Sequence, residues 1–264
     1  MRHNSNKCKL IGSLLCLAAS HTHALEININ AAPDFTNTLA LDAFQRAADT
    51  WEGYFSDAIT VNISAFFTSF GSELTNTIGG TDSVVLQGDY DSFTSLLKAD
   101  ADADDGILAY LPSSAQFSAN SSAADTVITN TILINKANLK ALGVNDLDTL
   151  FGVSDGDISF NSDFNFDFDN SDGVSSGLID FESVAIHEIG HLLGFTSIVD
   201  SFDQADRSAP PYIIDLFRFN ADDVPLTNEE FTTTSRELTP GEAAVFTDTH
   251  TTIFLSTGES LGDG

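Results

Sequence analysis

Thirty-nine carboxylates face only ten lysines and arginines in this chain of 264 residues, a formal net charge of −29. Self-repulsion of that size drives a chain toward disorder unless it can bury enough apolar surface to offset the loss of conformational freedom. Here 42% of the residues are hydrophobic and 21 are Phe, so the expectation is one globular domain with a real core and its acids turned outward. The same imbalance excludes partners. A phosphate backbone needs clusters of Lys and Arg, and the longest basic grouping is Lys7, Cys8, Lys9, so neither nucleic acid nor an anionic lipid surface is expected.

That basic grouping belongs to an N-terminal segment of different character. Residues 1–9 carry Arg2, Lys7 and Lys9 and no acid, Leu10 to Ala19 is mostly apolar, and Thr22-His23-Ala24 has small residues at both ends. The three-part pattern reads as a secretory signal peptide over 1–24, cleaved after Ala24, with residues 25–264 as the exported domain. Its apolar stretch is about half the roughly 20 residues a membrane span requires, so no transmembrane anchor is expected. Removal of the segment takes away three bases and no acid, leaving seven bases against 39 acids and a charge of −32. Both cysteines, Cys8 and Cys16, leave with it, so the exported domain is expected to fold without a disulfide.

Beyond Ala24, Leu25 to Asn30 alternates as a strand, Leu39 to Phe55 repeats apolar residues at helical spacing (Leu41, Phe44, Ala47, Ala48, Trp51, Phe55), and Ala58 to Phe67 alternates again. Strand, helix, strand opens an α+β or α/β domain. Gly79-Gly80 reads as a turn, Tyr90 to Leu97 as a short helix, and Ala99 to Asp105 as a solvated loop. Thr126 to Asn135 has strong β character, and Ala137 to Leu142 suits a helical turn ended by Gly143. From Asp157 to Asp169, Phe160, Phe164, Phe166 and Phe168 alternate with Asn161, Asp163, Asn165, Asp167 and Asp169. Period two predicts a strand with rings on one face and a solvated acidic face on the other. The second reading of that run, with Ser171, Asp172 and Gly173, is a structural Ca²⁺ site, although Asp172 stands where the calcium-loop pattern requires glycine.

Chemistry concentrates in Asp180 to Gly194, DFESVAIHEIGHLLG. Asp180 suits a helix N-cap, Glu182 its first turn, and Gly194 a left-handed stop. Inside lies His187-Glu188-Ile189-Gly190-His191, an H-E-x-x-H motif. Positions four apart lie about 40° apart on one helical face and about 6 Å along the axis, so two imidazoles there can hold one Zn²⁺. Glu188 projects beside them, where a carboxylate can take a proton from a water that the metal activates and return it to a leaving amine. Only three histidines follow Ala24, His187, His191 and His250, and two of them share this face. Val184, Ile186, Ile189 and Leu192 are expected to serve the core.

HEIGHLLGF, with Gly194 three residues after the second histidine, resembles the metzincin clan of zinc peptidases, and AFQRAADTWEGYFSDAITVNI is similar to that clan's first helix and second strand. The chain looks more closely like a group of bacterial secreted metalloproteases associated with protein-sorting tails, through DFNFDFDNSDG, LIDFESVAIHEIGHLLGFTSIVD, IIDLFRFN and FLSTGESLGDG. The resemblance implies a zincin-like fold, with a mixed twisted sheet, an N-terminal packing helix and an active-site helix, and it implies zinc held by His187 and His191 with Glu188 as general base. The chain departs from the pattern in two places. Ser197 stands where most metzincins carry a third histidine, and the only methionine is Met1, so the methionine turn beneath the metal has no counterpart. Leishmanolysin-like relatives place the third histidine after a long insertion. The segment 195–264 reads as such an insertion, with a C-terminal subdomain that is incomplete in a truncated chain. The third ligand is then Ser197, Asp200, His250 or a residue beyond Gly264.

The expected function is a secreted, monomeric zinc endopeptidase acting on protein or peptide substrates. The alternative is a non-catalytic extracellular surface or matrix protein that keeps a degenerate zincin fold and binds cations.

Overall fold

The computed structural model describes residues 25–33, 35–72, 74–102, 105–121, 130–199, 210–247 and 252–255. The expected export segment, the first residues of the strand expected over 126–135, and the ligand candidates Asp200 and His250 lie outside them.

The opening follows the expected order: β1 (Glu26–Ala31), α1 (Thr38–Glu52) and β2 (Thr60–Thr68). Asn37 caps α1 by accepting from the backbone N–H groups of Leu39 and Ala40 at 3.1 and 3.2 Å. β1 and β2 pair in parallel, Ile27 opposite Val61 and Ile29 opposite Ile63, and α1 is the crossover that a parallel pair requires. The stripe that α1 buries is Ala40, Ala43, Phe44, Ala47 and Ala48. It is set more by alanines than the sequence pattern suggested, because small side chains let a second helix approach closely.

β3 (Gly79–Ser83) and β4 (Val85–Asp89) follow, and Gly79-Gly80 opens a strand where a turn was expected. The reason is steric. A Cβ at Gly79 would sit 2.9 Å from Glu188 Oε1 and 3.2 Å from Val184 Cγ1, so a side chain there would push the Glu188 carboxylate and Val184 aside, and glycine lets the histidine helix approach with both in place. Helix α2 (Tyr90–Asp100), capped by Asp89, extends past the expected Leu97 and takes in Ala99 and Asp100 of the expected loop. β5 (Ala119–Asn120), β6 (Thr131–Asn135), α3 (Lys136–Ala141), α4 (Leu147–Phe151) and β7 (Gly156–Asn161) come next. β7 joins β2 in parallel and β3 antiparallel, which gives a mixed four-stranded sheet in the order β1-β2-β7-β3 with β3 at one edge.

The phenylalanine-rich run is not one strand. Asn161 ends β7 by accepting from the N–H groups of Phe70 and Asp163 at 3.2 and 3.1 Å while its amide donates to Thr77 O at 2.9 Å. The chain turns there and resumes as β8 (Phe166–Asp167), which pairs in parallel with β9 (Ile179–Asp180). The rings do go inward: Phe160, Phe166 and Phe168 surround Phe181 with centroids 4.5 to 5.2 Å away. The acids do not share one solvated face. Asp167 is buried and accepts from the N–H groups of Asp169 and Ser175 at 3.1 and 2.8 Å, bonds that hold its carboxyl below the usual range. Helix α5 (Phe181–Leu192) then packs beside α1 against β3 and β7, and these elements enclose the main core.

A second core is built by α2, β6 and the later elements β10 (Arg218–Asn220), α6 (Asn228–Thr233) and β12 (Ala244–Thr247); β11 (Arg236–Glu237) pairs with β5, and β13 (Thr252–Leu255) pairs with β12. Leu133 N–H donates to Pro211 O at 2.8 Å, which ties this part to β6. The architecture is mixed α+β, with six α-helices among the described residues. No helix among them is long and apolar enough to cross a membrane.

The scarce bases are drawn inward. Lys136 is fully buried on α3, with its ammonium 2.7 Å from Asp148 and 3.4 Å from buried Asp155. One turn on, Lys140 meets the same two carboxylates at 2.8 and 2.7 Å. Asp155 Oδ2 also accepts from Asn62 N–H at 2.8 Å, which fastens this cluster to the central strand β2. Arg236 is buried with its guanidinium 4.6 Å from the Phe219 centroid and 5.0 Å from that of Phe231, and it donates to Leu216 O and Thr234 O at 2.8 Å each. Removing one partner of a buried pair strands the other, so Asp155→Ala is expected to lower stability by about 3–5 kcal/mol. Asp148 is 43% exposed, and Asp148→Ala is expected to cost about 1 kcal/mol or less. Urea unfolding of the two variants checks this, and equal costs would contradict the assigned burial.

Candidate metal centre

Helix α5 forms as its sequence signals indicate. Asp180 caps it by accepting from Glu182 N–H at 3.1 Å, and Gly194 leaves it with φ +106°. Ala185, Ile189 and Leu192 are buried in the main core, with Val184 and Ile186 packed against it, as expected. That leaves a narrow outer stripe for the two histidines.

His187 Nε2 and His191 Nε2 face each other at 2.8 Å, with ring planes at 87°. That is hydrogen-bonding distance, so in the metal-free chain one Nε2 carries a proton donated to the other, and the two atoms share one locus on the exposed side of the helix. Two imidazoles at about 2.0–2.1 Å from a tetrahedral Zn²⁺ stand about 3.3 Å apart, so opening this pair by about half an ångström admits the ion. His191 Nδ1 lies 2.8 Å from Phe195 O. A carbonyl only accepts, so the proton is on Nδ1 and Nε2 is left bare, the arrangement a metal-binding imidazole needs. Desolvation and the neighbouring His191 ring hold His187 below its ordinary pKa against the attraction of Glu188, which favours its neutral form.

Glu188 does not join the imidazoles. Its carboxylate is buried against the edge strand, where Thr81 Oγ1 lies 2.7 Å from Oε2 and 2.9 Å from the Glu188 carbonyl oxygen, so one hydroxyl proton serves both. On the other flank, Trp51 Nε1 donates to Ile186 O at 2.9 Å, and its ring covers Gly190, where a Cβ would lie 3.2 Å from Cζ2. The exposed Phe195 ring lies 5.5 Å from that of Trp51. The histidine face thus runs between a strand edge carrying Thr81 and Gly79 and an aromatic wall.

The last carbonyls of α5 would be orphans without partners from another element. Asn135 Nδ2 donates to His191 O at 2.8 Å and to Leu192 O at 3.1 Å, and Asn138 Nδ2 donates to Leu193 O at 2.8 Å. Thr196 Oγ1 adds a bond to His191 O at 3.2 Å. Sequence reasoning passed over Thr81, Asn135, Asn138 and Trp51. The one available signal was two asparagines three apart at the start of α3, whose partners lie 55 to 57 residues away.

Of the third-ligand candidates, Ser197 is turned away. Its hydroxyl donates to Asp215 Oδ1 at 2.5 Å, and Asp215 Oδ2 accepts from the N–H groups of Ile198 and Tyr212 at 3.1 and 2.8 Å. Among the described residues no three His, Cys, Asp or Glu side chains gather around one point. Comparison with protein-family models, characterised proteins and solved structures returns no match to this chain.

Asp215 is fully buried, and desolvation pushes its pKa up to about 6 despite the three donors and Arg218. A carboxyl raised above its unfolded value favours folding most when protonated, so its contribution is full below about pH 4 and is lost as pH rises through about 6. Relative to Asp215→Asn, the wild-type chain is expected to lose stability over that interval, by about 2–3 kcal/mol. Paired urea titrations at pH 4 and pH 7 check the sign, and a pH-independent difference would contradict it. A second expectation concerns Asn135→Ala, which leaves Leu192 O buried without its donor. Its cost is expected at about 1–3 kcal/mol by the same titration, and a cost under about 0.5 kcal/mol would contradict that clamp.

Proposed function

We propose that this chain is an exported zinc endopeptidase of zincin-like, metzincin-like construction, with His187 and His191 as metal ligands and Glu188 as the proton carrier. The observation that carries the reading is the convergence of two Nε2 atoms at 2.8 Å on the exposed side of a helix whose other sides are committed to the core, with the His191 tautomer set by a backbone carbonyl. His191 Nδ1 is taken by Phe195 O and the two Nε2 atoms share the remaining contact, an arrangement that a metal ion can replace by displacing one proton.

When bound, zinc supplies a Lewis acid that activates water and polarises a peptide carbonyl. The chain's own residues do the rest. His187 and His191 present their Nε2 atoms from a helix that Asn135, Asn138 and Trp51 hold in place, and metal binding would displace the proton they share and part the rings by about half an ångström. Glu188 lies one residue from His187 and is turned toward β3, with Thr81 on Oε2, which leaves Oε1 to accept a proton. Burial beside an edge strand keeps competing water from that carboxylate, and the same group can return the proton to the departing amine. Thr81 is the residue that keeps Glu188 turned away from the metal point, so that it acts on protons and not as a ligand.

The second reading, a non-catalytic cation-binding surface protein, draws support from the commitment of Ser197 to Asp215, which removes the ligand candidate at the usual spacing. The second reading predicts cation binding without hydrolysis, and only the first predicts hydrolysis. Zinc content and casein cleavage of the full-length protein separate them, with Glu188→Gln measured beside the wild type. The variant is expected to retain metal and lose activity by about 10²–10⁴-fold. Equal activity in both would sink the mechanism, and zinc without cleavage in the wild type would favour the second reading.

A further inference from the structure

We propose that Asp215 is a positioning residue for the metal centre: by gripping Ser197 and Ile198 it holds the carbonyl of Phe195 against His191 and thereby fixes the His191 tautomer with its proton on Nδ1. The inference rests on the zinc reading for its purpose but not for its geometry.

Asp215 is fully buried and serves two chain segments at once. Oδ1 takes the Ser197 hydroxyl at 2.5 Å, while Oδ2 takes the N–H groups of Ile198 and Tyr212 at 3.1 and 2.8 Å. Ser197 Oγ in turn accepts from Val199 N–H at 3.3 Å, so one carboxylate organises residues 197, 198 and 199. Only Thr196 separates this anchored stretch from Phe195. The peptide plane that carries Phe195 O is pinned upstream by the bond from Phe195 N–H to Gly190 O at 3.0 Å and downstream by the Thr196 hydroxyl on His191 O at 3.2 Å and by the Asp215 contacts. With both ends held, the carbonyl faces His191 Nδ1 at 2.8 Å. With the Asp215 contacts released, the long Thr196 bond alone holds the downstream end, the plane gains freedom to rotate, and the acceptor that fixes the imidazole proton is held less firmly.

A carboxylate is an expensive choice if Asp215 serves packing alone. Ionised groups are rarely taken fully out of water, and burial here raises the pKa of the acid. What a carboxylate provides over a neutral side chain is acceptor capacity without any competing donor, with charge-assisted bonds to three donors at once. Asparagine would turn one donor-bearing end toward the Ser197 hydroxyl or the two N–H groups. The requirement is for a rigid, acceptor-only anchor, and the segment it anchors bears the group that orients a ligand. Partners that orient metal ligands typically alter metal affinity 10–100-fold when removed. An anchor one step further out falls at the lower end of that range.

The test uses the full chain at pH 7.5 with Ser197→Ala, Ser197→Thr and Asp215→Asn. Long-range proton–nitrogen NMR of the metal-free protein reads the His191 tautomer directly, and chelator competition with Zn²⁺ alone reads affinity. The wild type is expected to show His191 protonated on Nδ1 only. Ser197→Ala and Asp215→Asn are expected to give mixed tautomers and about tenfold weaker zinc binding with unchanged far-ultraviolet dichroism, while Ser197→Thr, which keeps the hydroxyl, restores both. If Asp215→Asn fails to fold, the alanine and threonine variants at Ser197 decide the matter. A wild type that holds no zinc would overturn the zinc reading, and the tautomer comparison would still judge the anchor. A folded Ser197→Ala protein with the wild-type tautomer, and with affinity within twofold wherever zinc binds, would overturn the proposal.

Discussion

The candidate site depends on where the last turn of α5 is held. A helix end leaves carbonyls that must find donors, and in this protein side chains of another element provide them. Asn135 and Asn138, at the start of α3, reach the carbonyls of His191, Leu192 and Leu193. The clamp has a chain of support behind it. Lys136 and Lys140 alternate along the same helix with those asparagines and lock α3 to Asp155, which is itself bonded to β2. The buried charge cluster and the asparagine clamp are thus carried by one short helix and its cap residue, and the position of His191 relative to the sheet is set by groups that lie far from it in sequence.

This arrangement explains what becomes of the charge imbalance. Lys136, Arg218 and Arg236 are buried, Lys140 is nearly so, and Arg46 is taken by Glu182 at 2.8 Å. Among the described residues few cations remain to offset the acids that stay at the surface. With no cysteine after residue 16 in the chain, the described fold relies on these interior cations and on aromatic packing for cohesion. Arg236 shows the pattern at its limit, since its guanidinium is lodged among phenyl rings and carbonyls. Burial lowers its pKa to about 10, partly offset by Tyr90, and it still carries its charge at neutral pH.

Local features were legible in the sequence where the physics is local. The helical spacing of α1, the alternation of β1 and β2, and the cap, motif and stop of α5 each act within a few residues, and the structure has all of them. Features that depend on a distant partner were not. Gly79-Gly80 looked like a turn because the reason for glycine, the Glu188 side chain, is more than a hundred residues away. The Phe160 to Phe168 alternation suggested one strand because nothing in the pattern revealed that Asn161 would bond to Phe70 and Thr77 and end it. Ser197 was weighed for its spacing from His191, whereas its partner Asp215 belonged to a stretch, IIDLFRFN, singled out only for its resemblance. A histidine pair four residues apart announces itself, but the residues that orient it do not.

X-ray absorption at the zinc edge, on the full chain loaded with one equivalent of Zn²⁺, tests the central claim most directly, because it reads ligand type and distance without requiring turnover. The account expects a shell containing two imidazole nitrogens at about 2.0–2.1 Å, with the imidazole signature lost when His187 and His191 are replaced together by alanine. A shell of oxygens alone, or an imidazole signature that survives the double replacement, would contradict it.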